Sequence, residues 1–416
     1  MYRVSTELSL LTGEPAGEML TVVVGEAGGT LLRWSATQVD HQPRGRTTVG
    51  YTARVRWGDG TETGETFGAC SGPLPDGVVR LSDGVTDIGV WRFPFDPELP
   101  ALPTAFDAVS MRRLVEGAGL RCDGEVRLRV RSYRPRRRAV IEVTTPDRRQ
   151  VFVKVVRPSR ARALHERHRL AALAAVPQSL GWTGDGLVLL AGLPGRTLRQ
   201  ALLTEDSVAL DADSVVSALD ALPTGLATGE RRRTWGQKAG HYAEVIAAAA
   251  PEFAARAREI ARAVDHDRPQ GPDVPVHGDL YENQLMVRDG RVTGLLDIDG
   301  AGRGERLDDA GCLLGHLAVL AQLQPIRATS ILGVGTALEE RFTADLDPAA
   351  LAGRAAAVVL SLATGPHRVQ EPGWRQQTAA RLALAERLLD EKSFTRGAAL
   401  ASSSGGIVDL VSTEKE

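Results

Sequence analysis

The chain has 416 residues and a mass of 44.4 kDa, which is enough for two or three domains with large buried cores. Hydrophobic residues make up 43% and charged residues 25% of the chain, which excludes collagen-like, low-complexity and wholly disordered proteins. A net charge of −2 argues against a nucleic-acid partner, since such binders usually carry excess positive charge.

The first 110 residues are predicted to form a β-rich domain. Turn signals alternate with runs of β-branched and aromatic residues at 20–24, 31–39, 47–57 and 78–81. The sequence Gly58-Asp59-Gly60 suits a hairpin turn between two of these strands. Helical spacing of apolar residues follows at 105–119.

A second β region is predicted as a three-strand meander, followed by a helix at 160–175 and a short strand at 186–191. The strands of the meander are residues 125–133, 139–145 and 150–156. Residues 196–393 read as mostly helical and alanine-rich, and the Ser/Gly-rich stretch 394–416 reads as a disordered tail. The predicted fold class is therefore α+β.

Two hairpins share a Pro-Arg turn, in residues 39–46 and 131–138. Each is followed by an apolar β run and a polar turn. Two interpretations stand: unrelated hairpins with a similar turn, or a duplicated β unit of which only the second has a lysine in its third strand.

Cysteine usage and hydropathy indicate the compartment. Cys70, Cys122 and Cys312 lie far apart and form no Cys/His cluster, so disulfides and structural zinc are not expected and a reducing cytoplasm is the predicted location. The first twenty residues lack the pattern of a signal peptide, and no run of 18 apolar residues is found, so no membrane partner is expected.

The motif that indicates chemistry lies in residues 275–302. A turn at His277-Gly278-Asp279 precedes a predicted hairpin that ends in Asp297-Ile298-Asp299. Strand ends brought together in this way place Asp279, Gln284, Asp297 and Asp299 in one small volume. Carboxylate and amide oxygens suit Mg²⁺, and phosphoryl transfer needs Mg²⁺ together with a carboxylate that orients the attacking hydroxyl.

This segment resembles the catalytic core of the aminoglycoside phosphotransferase and choline kinase family, which has the protein-kinase-like fold. His277-Gly278-Asp279 matches the catalytic loop of that family, and Asp297 matches its metal-binding aspartate. The family has Asn five residues after the catalytic aspartate, whereas this chain has Gln284 there and Asn283 one residue early. Gln at this place is a feature of the maltokinase-like branch, so Gln284 is expected to be the metal ligand, with Asn283 as the alternative.

The resemblance implies a bilobal kinase-like fold preceded by a cap. The expected domains are a cap at 1–110, an N-lobe with hinge at 111–195, a helical C-lobe with the catalytic hairpin at 196–393, and the tail at 394–416. It also implies an ATP-dependent phosphotransferase that acts on the hydroxyl of a small molecule. The acceptor is expected to be a sugar or amino sugar. The alternatives are an aminoglycoside-type antibiotic, or a non-catalytic nucleotide-binding role.

The resemblance also implies a role for each site residue. Asp279 would take the proton of the acceptor hydroxyl, and Gln284, Asp297 and Asp299 would hold Mg²⁺. Lys154 would bind the ATP phosphates and Glu166 would position Lys154. Leu190 and Gly192 would contact adenine through backbone groups.

Lys154 is one of only four lysines among 50 basic residues and lies within an apolar strand, which favours a role over an exposed edge position. A solvated helix position remains the alternative for Glu166, and Glu142 is a weaker candidate partner. The family's glycine-rich loop is absent, and the turn Arg134-Pro135-Arg136-Arg137-Arg138 stands in its place, either to contact phosphate or as a solvated basic turn.

Overall fold

The structure, a computed structural model, describes residues 3–42, 46–82, 84–172, 174–264 and 271–403. Its fold is α+β, with two five-stranded antiparallel sheets in the first half of the chain and a mainly helical second half. Three large apolar cores correspond to a cap, an N-lobe and a C-lobe. The fold is the protein-kinase-like bilobal fold with an added cap, as the sequence predicted.

The cap consists of two helices packed on one face of a sheet with strand order β1-β2-β3-β5-β4. Its elements are α1 (Arg3–Thr12), α2 (Glu14–Glu26), β1 (Gly29–His41), β2 (Thr47–Trp57), β3 (Glu62–Ser71), β4 (Val79–Ser82) and β5 (Asp87–Arg92). The predicted strand at 20–24 was wrong because these residues belong to α2. The buried residues of α2, Ala16, Met19, Leu20 and Val24, have helical spacing and face the sheet.

The N-lobe repeats the same strand order, β6-β7-β8-β10-β9. Its elements are α3 (Leu102–Ala105), α4 (Ala108–Gly117), β6 (Arg127–Arg134), β7 (Arg138–Thr144), β8 (Gln150–Val156), α5 (Pro158–Leu170), β9 (Ser179–Trp182) and β10 (Leu187–Ala191). The expected boundary at residue 111 is too late, since Leu99 and Leu102 are fully buried in the same core as Met111, Ile141 and Val153.

The C-lobe is built around helix α10, most of which is buried. Its elements are β11 (Arg196–Thr197), α6 (Leu198–Thr204), α7 (Ala212–Asp220), α8 (Trp235–Ala249), α9 (Ala254–Val264), β12 (Val274–Val276), β13 (Leu285–Arg288), β14 (Arg291–Leu295), β15 (Gly302–Gly304), α10 (Arg306–Leu323), α11 (Ala328–Phe342), α12 (Pro348–Leu362), α13 (Gly365–Arg368), α14 (Trp374–Glu391) and α15 (Phe394–Ser403). The predicted catalytic hairpin corresponds to β13 and β14, which pair antiparallel.

Helix α15 corrects the expected start of a disordered tail at residue 394. Phe394 is fully buried in the C-lobe core, and its backbone N–H donates to a carboxylate oxygen of Glu339 at 2.6 Å. A single aromatic anchor of this kind orders a segment whose composition alone predicts disorder. Residues 404–416 of the expected tail lie outside the described residues.

Among the described residues, one helical stretch, Pro348–Arg368, is long and apolar enough to cross a membrane. The bent pair α10 and α11 passes the same test only when it is counted as one span. Most of the apolar window in Pro348–Arg368 is buried inside the protein, where α12 packs on α10 and α14. The apolar character of this stretch is accounted for by its place in the C-lobe core.

Candidate active site

The catalytic loop at residues 277–279 is held by buried hydrogen bonds. The carboxylate of Asp309, in the first turn of α10, accepts from the backbone N–H groups of His277 and Gly278, each at 2.7 Å. The Nε2 atom of His277 lies 2.7 Å from the carbonyl oxygen of Leu296, so the ring connects the loop to the end of β14. Gly278 has φ +80°, and a Cβ there would lie 2.5 Å from Arg232 Nε, so glycine is required.

Asp279 lines a cleft, where solvent reaches its side chain although protein atoms surround most of it. Its carboxylate, the Cys312 thiol and a ring nitrogen of His316 all lie within 4.8 Å of one another. Burial raises the pKa of Asp279, and the nearby charge of Asp297 raises it further, although His277 and Arg138 act in the opposite direction. A carboxylate with a raised pKa is the better proton acceptor, as a general base requires.

Neutral groups form part of the wall beside Asp279. Burial lowers the pKa of His316 to about 3, so its ring is uncharged at neutral pH, and the ring stacks on Tyr281 at a centroid distance of 4.5 Å. Burial raises the pKa of Cys312, which keeps its thiol protonated. Both side chains lie on α10 and pack against the carboxylate of Asp279.

The two acidic residues after β14 are neutralised by basic residues of the N-lobe sheet. Lys154 Nζ lies 2.7 Å from Asp297 Oδ1 and also contacts Asp299 Oδ1. Arg138 lies 3.4 Å from Asp297 and 3.5 Å from Asp299. Asp297 has φ 55° and ψ 47°, a left-handed conformation that non-glycine residues seldom adopt. Strained backbone of this kind is concentrated at functional sites.

Asp299 is the most strongly perturbed of these acids. Burial by itself raises the pKa of Asp299, but His168, Lys154 and Arg138 together outweigh burial and hold it well below its usual range. The Asp299 backbone carbonyl also accepts a short hydrogen bond from Arg167. Asp299 is therefore ionised at neutral pH and available as an oxygen ligand.

The expected pairing of Lys154 with Glu166 was wrong. Glu166 lies on the exposed face of α5, where it pairs with Arg162 at 2.8 Å. The buried residues of α5 are Ala161, Leu164 and His168, and this helix face turns toward the site. His168 Nε2 lies 3.9 Å from Asp299 Oδ1, so a histidine of α5 occupies the neighbourhood in which the glutamate was expected.

Glu142, the weaker candidate, is also engaged elsewhere. Its carboxylate accepts from Gln150 Nε2 at 2.7 Å and pairs with Arg131 at 2.5 Å. Lys154 is therefore paired with the two aspartates of the C-lobe and with neither predicted glutamate.

The two candidate amide ligands differ in their surroundings. Gln284 is buried, and its backbone joins the catalytic loop to β14, since Leu296 N–H donates to its carbonyl at 2.8 Å. Asn283 is exposed, and its Oδ1 accepts from the Thr197 hydroxyl at 3.1 Å. Both side chains line the interlobe cavity, which Asp297 also lines.

The cavity between the lobes has a volume of about 520 Å³, a size suited to a drug-sized ligand. Phe152, Lys154 and Leu190 form part of its N-lobe wall, and Met286 and Leu296 form part of its C-lobe wall. Of the two predicted hinge residues, Leu190 lines the cavity. Gly192 does not line the cavity, and its backbone N–H donates to the carbonyl of Gln150 at 2.9 Å.

Two contributors to this site were missed at the level of individual residues. Arg138 was not distinguished from the other arginines of its turn, because only the paired strands direct it toward Asp297 and Asp299. For His168 a signal was present, because Ala161, Leu164 and His168 have the spacing of one helix face.

A two-lobed fold with a cavity between the lobes, a lysine paired with aspartates beside it and a further carboxylate on the catalytic loop is the arrangement of a kinase-like phosphotransferase. The sequence pattern of the phosphotransferase enzyme family matches residues 136–351, just over half of the chain. The chain therefore belongs to this family and is an ATP-dependent phosphotransferase with an alcohol group as acceptor. No curated protein sequence matches the chain.

Among solved structures, the chain is similar to a macrolide 2′-phosphotransferase from Brachybacterium faecium. The two share 23% identity with a TM-score of 0.41, over 66% of this chain and 97% of that chain. A choline/ethanolamine kinase family protein from Mesorhizobium loti is similar with 13% identity and a TM-score of 0.44, over 67% of this chain and 93% of that chain.

Proposed function

We propose that the enzyme transfers the γ-phosphoryl group of ATP to a hydroxyl of a sugar or amino sugar in the cytoplasm. The observation that carries this proposal is that two cavities adjoin near Asp279, since Arg134 and Arg138 line both of them. Asp297 and Lys154 line the interlobe cavity, whereas Asp279 lines a second cavity under the cap. A nucleotide in the first cavity and an acceptor in the second would meet at Asp279.

On the nucleotide side, the adenine would lie between Phe152 and Met286, beside the hinge residue Leu190. Lys154 and Arg138 would exchange their present carboxylate partners for phosphate oxygens, which both groups bind well. Gln284, Asp297 and Asp299 supply the oxygen donors that suit Mg²⁺, which would neutralise charge on the phosphates. These roles are those of the wider phosphotransferase class, applied to the residues of this chain.

On the acceptor side, Asp279 would orient the hydroxyl and accept its proton. The ring of His316 lies beside Asp279 and forms part of the wall around its carboxylate, and Tyr281, which stacks on His316, lines the interlobe cavity. Tyr242 on α8 is near enough for the charge of Asp279 to raise its pKa, after burial. This proximity supports a place for α8 beside the acceptor.

An aminoglycoside acceptor is the second candidate, and uncompensated acidic residues near the catalytic loop would favour such a cationic acceptor. Glu282 pairs with Arg199 at 2.6 Å, Asp308 pairs with Arg354 at 3.0 Å, and Glu305 pairs with Arg231. Their charges are compensated within the C-lobe, so they do not give the acceptor side a negative field. This favours an acceptor other than a polycation.

The test is Mg²⁺-dependent ADP release from ATP across neutral sugars, amino sugars and aminoglycosides. We expect stimulation by a sugar or amino sugar, and loss of that stimulation in Asp279→Asn, whose fold should be unchanged because the substitution is isosteric at a solvent-reached position. Stimulation by aminoglycosides alone would favour the second candidate. Nucleotide binding without ADP release for any acceptor would support the non-catalytic alternative.

A further inference from the structure

A second cavity, of about 540 Å³, lies between the cap sheet and the N-lobe, with Asp279 at its inner end. We name it the arginine pocket, because seven arginine side chains line it together with only two carboxylates, Asp40 and Asp279. Three segments supply the arginines: the cap at Arg46, the turn at residues 134–138, and the start of α5 at Arg157 and Arg160. Residues from distant parts of the chain thus converge on one cationic volume.

The turn that forms the roof of this pocket is fixed to the cap. The carboxylate of Asp96 accepts from the Arg136 backbone N–H at 2.8 Å and from the Tyr133 hydroxyl at 2.8 Å. Pro135 packs so closely on β2 that a Cβ at Gly50 would lie 3.1 Å from Pro135 Cγ. The arginines therefore project from a hydrogen-bonded turn that packs on the cap, and not from a solvated basic turn, which was one of the two alternatives left by the sequence.

The positive charge in the pocket exceeds the negative charge that faces it. One carboxylate, Glu98, serves three arginines, Arg46 at 3.8 Å, Arg157 at 2.5 Å and Arg136 at shorter range. Arg136 is buried, and its Nη1 atom has no hydrogen-bond partner within the described part of the chain. Because these three guanidinium groups share one carboxylate, the wall of the pocket keeps a net positive charge.

Arg134 gives independent evidence of this excess charge. Burial lowers its pKa, and the charges of Arg138, Arg368 and Arg137 lower it further. An anion in the pocket would relieve this repulsion. Guanidinium groups bind phosphate through paired, charge-assisted hydrogen bonds, and several arginines from different elements surround the space as such a site requires.

From this geometry we infer that the arginine pocket binds the phosphate monoester of a phosphorylated small sugar. The phosphate has two sources: it belongs either to the acceptor itself, whose free hydroxyl then lies at Asp279, or to a separate sugar phosphate that occupies the pocket and blocks the acceptor. The acceptor source rests on the proposed kinase function, whereas the binding site itself does not.

The binding test uses isothermal titration of the full chain with glucose 6-phosphate, inorganic phosphate and glucose, in the presence of saturating ADP and Mg²⁺. The nucleotide fills the interlobe cavity, so that phosphate binding there does not contribute. We expect glucose 6-phosphate to bind, with an affinity that falls as salt rises, and glucose to give no signal. The double variant R46Q/R160Q should weaken binding about tenfold or more, since two charge-assisted contacts are lost.

Arg162→Gln is the matched control, because it removes the same charge from the same helix, α5, outside the pocket. Equal weakening by this control, an unchanged affinity in the double variant, or no binding of either phosphate probe would overturn the inference. Because Arg46 and Arg160 are not in the buried core, the double variant should fold, and its ADP affinity should equal that of the wild type.

Measurement of ADP release from ATP then shows whether the bound phosphate belongs to the acceptor or to a separate sugar phosphate. Stimulation by glucose 6-phosphate, reduced in R46Q/R160Q, would assign the phosphate to the acceptor. Inhibition of turnover on a neutral sugar, relieved in R46Q/R160Q, would assign it to a separate ligand. Phosphate binding that depends on Arg46 and Arg160, without ADP release for any acceptor, would support the pocket while contradicting the proposed function.

Discussion

The cap sheet and the N-lobe sheet have the same strand order, but only the N-lobe sheet contributes to the nucleotide site. The two sheets can be compared at the residue that lies two positions after the start of the second strand. In the cap this residue is Val49, which pairs with Ala69 on β3, and Ala69 pairs with Val90 on β5. The N-lobe aligns Val140, Lys154 and Val188 at the corresponding place. The shared order agrees with the interpretation of the two Pro-Arg hairpins as a duplicated β unit.

The difference between the sheets lies in what covers them. In the cap, α1 and α2 cover the face that contains Ala69, and the side chains there form an apolar core. In the N-lobe, α3 and α4 cover the opposite face, and the face with Val140 and Lys154 lines the interlobe cavity. Helix α5 covers only part of that face, where Ala161 and Leu164 pack on Val188. The same strand arrangement is therefore a structural support where helices cover it fully, and it lines a cavity where the cover is partial.

The largest expected effect is that of Lys154→Met. In the proposed role of Lys154, removing the ammonium group takes away one of the two cations that would hold the phosphates, so kcat/KM for ATP should fall by about 100-fold or more. The matched cap variant is Val49→Ala, which should destabilise the fold by about 2 kcal/mol through a lost core contact and leave kcat unchanged. Steady-state kinetics measures the first effect and urea unfolding measures the second. A fall in kcat/KM of only a few-fold for Lys154→Met would contradict the view that the N-lobe sheet, unlike the cap sheet, contributes to the nucleotide site.

The pH dependence of turnover gives the next largest effect. Asp279 must be ionised to accept a proton, so kcat/KM should fall about tenfold for each pH unit below its pKa. Because burial and Asp297 raise the pKa of Asp279, this acid limb should lie above the range of an ordinary aspartate.

Arg134→Gln sharpens this test. The charge of Arg134 lowers the pKa of Asp279, so its removal should move the acid limb to higher pH. The exposed cap variant Arg54→Gln should leave the limb in place. An acid limb in the ordinary aspartate range, or one that Arg134→Gln moves to lower pH, would contradict the environment described for Asp279.

Two tyrosine hydroxyls allow the interior of the cap, at Tyr51, to be compared with the contact between the cap and the N-lobe, at Tyr133. The Tyr133 hydroxyl donates to Asp96 at 2.8 Å and accepts from Trp91 Nε1 at 2.9 Å, whereas the Tyr51 hydroxyl donates to the Leu11 carbonyl at 2.6 Å. Hydrogen bonds to charged groups are the stronger class, so Tyr133→Phe should cost about 2 kcal/mol and Tyr51→Phe about 1 kcal/mol of unfolding free energy. Urea unfolding of the two variants tests the order, and a larger cost for Tyr51→Phe would reverse it.

The smallest expected effect is that of Glu166→Gln. Because Glu166 pairs with Arg162 on an exposed helix face, its neutralisation should change kcat and KM for ATP by less than twofold. A fall of tenfold or more would indicate that α5 rotates during turnover and restores the pairing with Lys154 that the sequence suggested.

Much of the fold could be predicted from local patterns. The strand at 150–156 and the catalytic hairpin were located because alternating apolar residues and Asp-Gly turns are local signals. The strand β3 was not predicted, since its sequence is rich in Glu and Gly and poor in β-branched residues. The segment 20–24 was assigned to the wrong class because a short apolar run fits a strand and a buried helix equally well.

The sequence by itself determined the enzyme class of this protein, because the short segment that contains His277-Gly278-Asp279, Gln284 and Asp297 resembles the catalytic core of the phosphotransferase family. It also identified Lys154, through the cost of placing a charge in an apolar strand. Only the tertiary structure decided which groups Lys154 meets, since Asp297 lies 143 residues away along the chain. It alone showed that Glu166 faces solvent and that the arginines of the cap and N-lobe surround one pocket, because the direction of a side chain depends on which face of its element the rest of the protein covers.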